Sequence, residues 1–266
     1  MKIDRYEALK AIRVNNLLWK GTFYDELVTL PCYDLCFVLN TDVHFMNCAM
    51  NFDLENLEEF GKGMVTIEEF FRIRRKSSSI YLSQFDEPSG IEEYLLCKGY
   101  QKVKGEEAVF LGLSIEDLVD PQKVVIGLEI RECRTKNDLA EYLIAAKAGY
   151  NDFDYTPYAA SMSKLFNTNV DGITQLHFVG YVNKVPVACG TIGILFDTAI
   201  WINAATIPEH RKKGINTAMM VRAIKEANKL GATKFYYCTD VDNFGSIKSG
   251  VNIGFTEVVR QRMFSK

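Results

Sequence analysis

Residues 198–231, TAIWINAATIPEHRKKGINTAMMVRAIKEANKLG, constrain the fold more than any other stretch. From Ala199 to Ile207 the chain is apolar or small except for Asn203 and Thr206, a run that suits a strand buried on both faces and stopped by Pro208. From Asn216 the apolar residues Met219, Met220, Ala223, Ile224, Ala227 and Leu230 recur at spacings of three and four, marking one face of a helix closed by Gly231. A strand feeds a helix. The turn between them, Glu209-His210-Arg211-Lys212-Lys213-Gly214-Ile215-Asn216-Thr217, brings together a glycine, three consecutive cations and the first N–H groups of a helix. Those groups, with the positive end of the helix dipole, suit a diphosphate or other polyanion.

The spacing fits neither the nucleotide P-loop nor the three-glycine dinucleotide turn. It resembles the coenzyme-A loop of the GNAT superfamily of N-acyltransferases, Arg/Gln-x-x-Gly-x-Gly/Ala, with Arg211, Gly214 and Asn216 at the three defined positions. The third departs, since Asn stands where Gly or Ala is expected and brings bulk toward the phosphates. A solvated basic helix start is the plainer alternative. The strand ahead and the helix behind favour the coenzyme loop.

The surrounding pattern agrees. Leu128 to Cys133 has strand character; Thr135, with Asp138 three residues on, is placed to cap a helix over 138–148; a second helix is expected over 157–166. Thr174 to Val182 and Val185 to Leu195 are expected as strands joined tightly at Asn183-Lys184. The buried strand and its helix follow, then a strand over 234–239, a short helix over 244–252, Gly254-Phe255 and a last strand to Phe264. Strand, two helices, three strands, helix, strand, helix, strand is the GNAT order, and the resemblance covers 126–266. It implies a mixed, splayed β-sheet flanked by helices.

Before it, SIEDLVDPQKVV at 114–125 is the expected linker, dividing a unit at 1–120 from one at 126–266. The first unit is expected to hold a helix over 4–20, two β-like runs within 35–52 forming a hairpin, a helix over 66–76 capped by Thr66 with Glu69, a strand at 80–82, a helix over 91–98 and a strand ending near Leu113. Its turn at Gly99-Tyr100 parallels Gly254-Phe255, whereas Phe60-Gly61-Lys62-Gly63-Met64 stands where a phosphate loop would be. It resembles a degenerate, smaller GNAT-like α/β unit without a coenzyme site; an unrelated α/β domain remains open.

The resemblance implies acetyl-CoA as co-substrate and transfer of its acetyl group to a primary amine. The pantetheine arm would lie between two parallel strands that part beyond the phosphate loop, touching main-chain groups of Ala204 and Thr206. Arg211, Lys212, Lys213, Gly214, Ile215, Asn216 and Thr217 would hold the phosphates, and Asn243 matches a family asparagine that contacts the coenzyme. The family's proton-donating tyrosine falls on Gly250. Ser249 is the adjacent hydroxyl and Ser246 another one turn earlier, and Asp240 is the first-ranked general base, with Asp242 second and able to cap the helix that follows. Tyr236, Tyr237 and Cys238 read better as core than as catalytic groups. GYNDFDYTPY at 149–158, with Asp152, Asp154, Tyr150, Phe153, Tyr155 and Tyr158, would give an acidic, aromatic mouth for a cationic amine, or an ordinary loop.

Composition limits the alternatives. With 31 Lys+Arg against 34 Asp+Glu the net charge is −3, so bulk electrostatics predict neither nucleic-acid nor membrane binding, and the cations at 211–213 are a local feature. Seven cysteines without C-x-x-C spacing and three scattered histidines indicate reduced thiols and no metal site. The acidic N-terminal window and the lack of a long apolar run predict a soluble cytoplasmic protein. The expected partner is a small-molecule or peptide amine, and a homodimer stays open. The alternative function is coenzyme binding without turnover, as a sensor or pseudoenzyme.

Overall fold

A computed structural model of the chain describes residues 4–20, 24–121, 125–150 and 172–266. The chain forms two compact units, Phe110–Val258 and Lys2–Val109 with Val259–Lys266.

In the unit that opens the chain, helix α1 (Arg5–Trp19) starts at Asp4, whose carboxylate accepts the N–H of Glu7 at 2.9 Å. Strands β1 (Glu26–Thr29), β2 (Asp34–Phe37) and β3 (Cys48–Met50) run antiparallel in turn. The expected pairing within 35–52 is present, but its connection carries a short helical turn, His44–Met46, in place of a tight bend. Helix α2 (Leu57–Ile73) then crosses over so that β4 (Ser79–Ser83) lies parallel to β3. Helix α3 (Ile91–Cys97) and strand β5 (Gln101–Ser114) follow. The core joins Leu35, Ala49, Ile80 and Leu82 of the strands to Phe60, Met64, Ile67 and Phe71 of α2.

Helix α2 begins well before the expected 66, and its cap is Asn56, which accepts the N–H of Glu59 at 3.0 Å. Phe60, Met64, Ile67 and Phe71 are spaced by four, three and four, so the buried face runs straight through Gly61 and Gly63. Burying each such side chain stabilises by about 1.5–3 kcal/mol, which outweighs the roughly 0.5–1 kcal/mol cost of a helical glycine. Gly61 also admits the neighbour: a Cβ there would strike the Tyr94 phenol of α3.

In the other unit, β6 (Leu128–Glu132) leads to α4 (Lys136–Gly149), where Thr135 and Asp138 make the reciprocal capping box. Strands β7 (Thr174–Val182) and β8 (Val185–Leu195) meet at Asn183 and Lys184, both with positive φ (52° and 64°), as a two-residue hairpin turn requires. Strand β9 (Thr198–Thr206), helix α5 (Ile215–Lys229), strand β10 (Lys234–Asp240), helix α6 (Phe244–Val251) and strand β11 (Thr256–Ser265) complete the chain. The strand order is β5-β10-β9-β8-β7-β6, a mixed sheet in which β9 and β10 are parallel. Helix α4 reaches Thr191 through Tyr142, whereas Met219 of α5 covers Gly180. His177 is the cross-strand partner of Thr191, and Gly180 lies three residues further along β7, so the two helices cover opposite faces.

Connectivity differs from a division at 114–125. Strand β5 comes from the first half yet neighbours β10, while residues 261–265 of β11 pair antiparallel with β4. The expected linker is tied down: the N–H of Ile115 donates to Thr233 at 2.9 Å and that of Val119 to Ile253 at 3.1 Å. Gly254, at φ 104°, packs against the carbonyl of Asp117, where a Cβ would not fit. No helix of the described residues is long and apolar enough to cross a membrane.

Candidate functional site

Strands β9 and β10 part company midway. They pair in register from Thr198 with Lys234 to Trp201 with Tyr237, and the pairing stops there although both strands continue. The cause is a bulge on the other edge of β9. Thr191 faces Ile202 and Cys189 faces Ala205, so Asn203 and Ala204 together oppose Gly190. Asn203 sits at φ 52°, a left-handed conformation that costs a non-glycine residue about 1–2 kcal/mol.

The carbonyl oxygens of the departing segment are taken by side chains. Tyr142 Oη donates to Asn203 at 3.1 Å, Tyr150 Oη to Ala204 at 3.1 Å, and Arg211 Nε to Thr206 at 3.0 Å. Arg211 also donates through Nη2 to the carbonyl of Gly149 at 2.7 Å. The guanidinium expected on the phosphates therefore braces the loop, joining the end of α4 to the end of β9.

Beyond β9 the turn Pro208–His210 leads to Lys212 (φ 62°) and Gly214 (φ 88°, ψ 5°), which is the N-cap of α5. No side chain caps this helix and no acid lies in its first turn. Among the described residues, the N–H groups of Ile215, Asn216 and Thr217 have no acceptor, and Arg211, Lys212 and Lys213 are exposed beside them. Main-chain donors arranged in this way suit an anion. Asn216 does not crowd it, because its amide turns along the helix to Met220 Sδ at 3.7 Å. Thr217, buried, donates to the carbonyl of Ser249 at 3.4 Å and fixes the helix start against α6. The equivalent end of α2 is the opposite: Asn56 caps it and Glu58 and Glu59 fill its first turn, which repels an anion.

The other prong of the fork carries Cys238, Thr239 and Asp240. Burial, and then the charge of Asp242, raise the pKa of the Asp240 carboxyl above its ordinary value. Burial likewise raises the Cys238 thiol, which remains protonated. One expectation is corrected in α6. Asn243, not Asp242, is its cap, with its side-chain oxygen accepting the N–H of Ser246 at 3.1 Å, so that oxygen serves the helix. Ser249 Oγ donates to the carbonyl of Gly245 at 2.8 Å, which ties the expected proton donor to its own helix. Tyr237 Oη reaches from β10 to the carbonyl of Ser246 at 3.1 Å and fills the space beside Gly250.

Structure thus gathers Ala204, Thr206 and residues 211–217 along one prong and the helix start, with Asp240 at the end of the other. Asp152, Phe153, Asp154, Tyr155, Tyr158 and the helix expected over 157–166 lie outside the described residues. Sequence reasoning missed Tyr142 and Thr191; the signal was a polar pair, His177 opposite Thr191, in otherwise apolar strands. Among the described residues no group of His, Cys, Asp and Glu could hold a metal.

Residues 143–250 match the family model described as Acetyltransferase (GNAT) family. No curated protein matches the sequence. Among solved structures, a GCN5-related N-acetyltransferase from Kribbella flavida is similar with a TM-score of 0.71 at 18% identity, covering 100% of this chain and 96% of that one. A GCN5-related N-acetyltransferase from Sphaerobacter thermophilus gives 0.65 at 11% identity, over 85% of this chain and 74% of the other. A tandem GNAT protein from the clavulanic acid biosynthesis pathway gives 0.64 at 10% identity, over 82% and 74%. At these identities the likeness is one of fold.

Proposed function

We propose, starting from the GNAT acetyltransferase domain that residues 143–250 carry, that this protein is an acetyl-CoA-dependent N-acetyltransferase acting on a primary amine. One observation carries the reading: α5 opens at Gly214 with uncapped donors and exposed cations, at the mouth of a fork between β9 and β10. The residues present fit the coenzyme. The N–H groups of residues 215–217 and the charges of Lys212 and Lys213 would hold its diphosphate, and Ala204 and Thr206, whose side chains are small, would line its arm. When bound, the coenzyme supplies a thioester whose carbonyl carbon is attacked by a neutral amine and whose sulfur departs as thiolate.

The chain's own part is to align and to move protons. The fork places amine and thioester together, and positioning of this kind supplies much of the rate even where acid-base groups are few. Asp240, its basicity raised by burial, takes the proton from the incoming ammonium. Asn243 offers its amide at the neighbouring helix start.

The test is calorimetric titration with acetyl-CoA followed by thiol release with polyamines, amino acids, aminoglycosides and peptides. No heat or thermal shift at millimolar acetyl-CoA sinks the reading. Coenzyme binding without turnover is the second reading, and a specific observation favours it: in α6, Ser249 is tied to its own helix and Gly250 offers no side chain. Binding with no thiol release from any amine would select it. In either case we read the unit that opens the chain as a GNAT-like fold without a coenzyme site, since its crossover helix starts with a cap and two acids.

A further inference from the structure

The bulge that opens the fork is held from behind. Tyr142 is fully buried, and its Oη, besides donating to Asn203, lies 2.9 Å from Thr191 Oγ1. Thr191 Oγ1 lies 2.8 Å from His177 Nδ1, and both residues are buried. The direction of these bonds follows from the last member. A carbonyl only accepts, so the Tyr142 proton goes to Asn203; Thr191 must then donate to Tyr142, and His177 Nδ1–H to Thr191. The chain therefore needs a proton on Nδ1, and burial, which pushes the His177 pKa down to about 4, makes the ring that carries it the neutral Nδ1–H tautomer. Edge-to-face packing of Tyr142 on His177, centroids 5.8 Å apart, fixes both rings. None of the three residues belongs to the phosphate loop or to β10.

We propose that Tyr142 is a positioning residue: with Thr191 and His177 behind it, it holds the Asn203 carbonyl in the bulged conformation that turns β9 away from β10 and keeps the acyl end of the fork open. Its catalytic consequence rests on the acyltransferase reading; its structural consequence does not. The residues that would hold the diphosphate lie elsewhere, at Gly214 and the start of α5, so loss of the chain affects the reacting end of the site and spares coenzyme affinity.

Hydrogen exchange by mass spectrometry and steady-state kinetics on the full chain test this together. Tyr142→Phe keeps the ring and removes the donor. The expected result is amide exchange across residues 202–206 accelerated about 5- to 10-fold, the size of one lost hydrogen bond. Alongside it, kcat falls roughly 10- to 100-fold while KM for acetyl-CoA stays within about twofold, as misplacement of reacting groups predicts. Thr191→Val interrupts the same chain and gives the same pattern, and the double variant is no worse than either single one. His177→Asn, whose amide nitrogen can replace Nδ1–H, retains wild-type exchange and kcat; His177→Phe behaves like Tyr142→Phe. Wild-type exchange across 202–206 in both Tyr142→Phe and Thr191→Val overturns the proposal, as does a loss confined to KM. If one variant does not fold, the other decides. If the wild type binds acetyl-CoA but acetylates no amine, the acyltransferase reading falls and the exchange measurement alone settles the positioning role.

Discussion

The phenol of Tyr237 occupies the volume into which a side chain on Gly250 would project: an ideal Cβ at 250 meets Tyr237 Oη, Cε1 and Cζ before any other atom. The strand supplies the aromatic ring and the helix the gap. Tyr237 is buried, bonded to Ser246 and stacked edge-on against Phe255 at 5.0 Å, so it cannot simply swing aside.

Gly250→Ala is therefore expected to destabilise the fold by about 1–3 kcal/mol through overpacking. Urea unfolding of Gly250→Ala, with and without Tyr237→Ala, checks this. Gly250→Ala should cost less in the Tyr237→Ala background, where the space is vacant, and additive losses would show that the two residues do not compete.

Arg211 and its neighbours should behave differently toward salt. Because the Arg211 guanidinium is committed to Thr206 and Gly149, Arg211→Gln should weaken acetyl-CoA binding roughly 3- to 10-fold, the loss of about one hydrogen bond's worth of loop support. It should leave the dependence of affinity on ionic strength as it was. Lys212→Gln and Lys213→Gln should flatten that dependence, since their charges face the anion through screened solvent. Calorimetry at several salt concentrations separates the cases; a flattened slope for Arg211→Gln would return it to the phosphates.

On the proposed acyltransferase reading, Asp240 as the base sets a pH limit. Its carboxyl is raised by burial and by Asp242, so the basic form is present above the raised pKa and is lost as pH falls through it. The rate should rise with pH along a limb whose midpoint lies above the roughly 3.9 of an ordinary aspartate. Asp240→Asn should remove that limb and lower kcat about 100-fold or more, while Asp242→Asn should move the midpoint down. A pH–rate profile unchanged by Asp240→Asn would assign the proton to another group.

Cutting the chain at the apparent linker should yield two poor folders. A fragment ending at 120 lacks residues 261–265, the partners of β4, and exposes an apolar edge at Ile80 to Leu82. A fragment starting at 126 lacks β5, the neighbour of β10. Each expressed alone should aggregate or unfold well below the intact chain, and co-expression should restore soluble material. An independently stable first fragment would mean the exchanged strand contributes little.

Much of this protein was legible along the chain. The periodicity of 216–230, the Thr135–Asp138 cap, the Asn183-Lys184 turn and the glycine-led helix start at Gly214 are local: each depends on residues a few positions apart, where spacing alone fixes geometry. That is also why the Thr66 cap misled, for the spacing fitted a capping box while the buried face at Phe60, Met64, Ile67 and Phe71 demanded an earlier start.

What only the folded molecule decided is long-range. Which strands β5 and β11 lie beside, where Arg211 spends its donors, what fills the space at Gly250 and why Asn203 stays in a left-handed conformation all depend on partners dozens of residues away. Hydrophobic patterning is blind to such choices, because a strand with a given face can pair at either of two edges and a buried hydroxyl can turn to either of two carbonyls. Only the simultaneous packing of all the elements selects one.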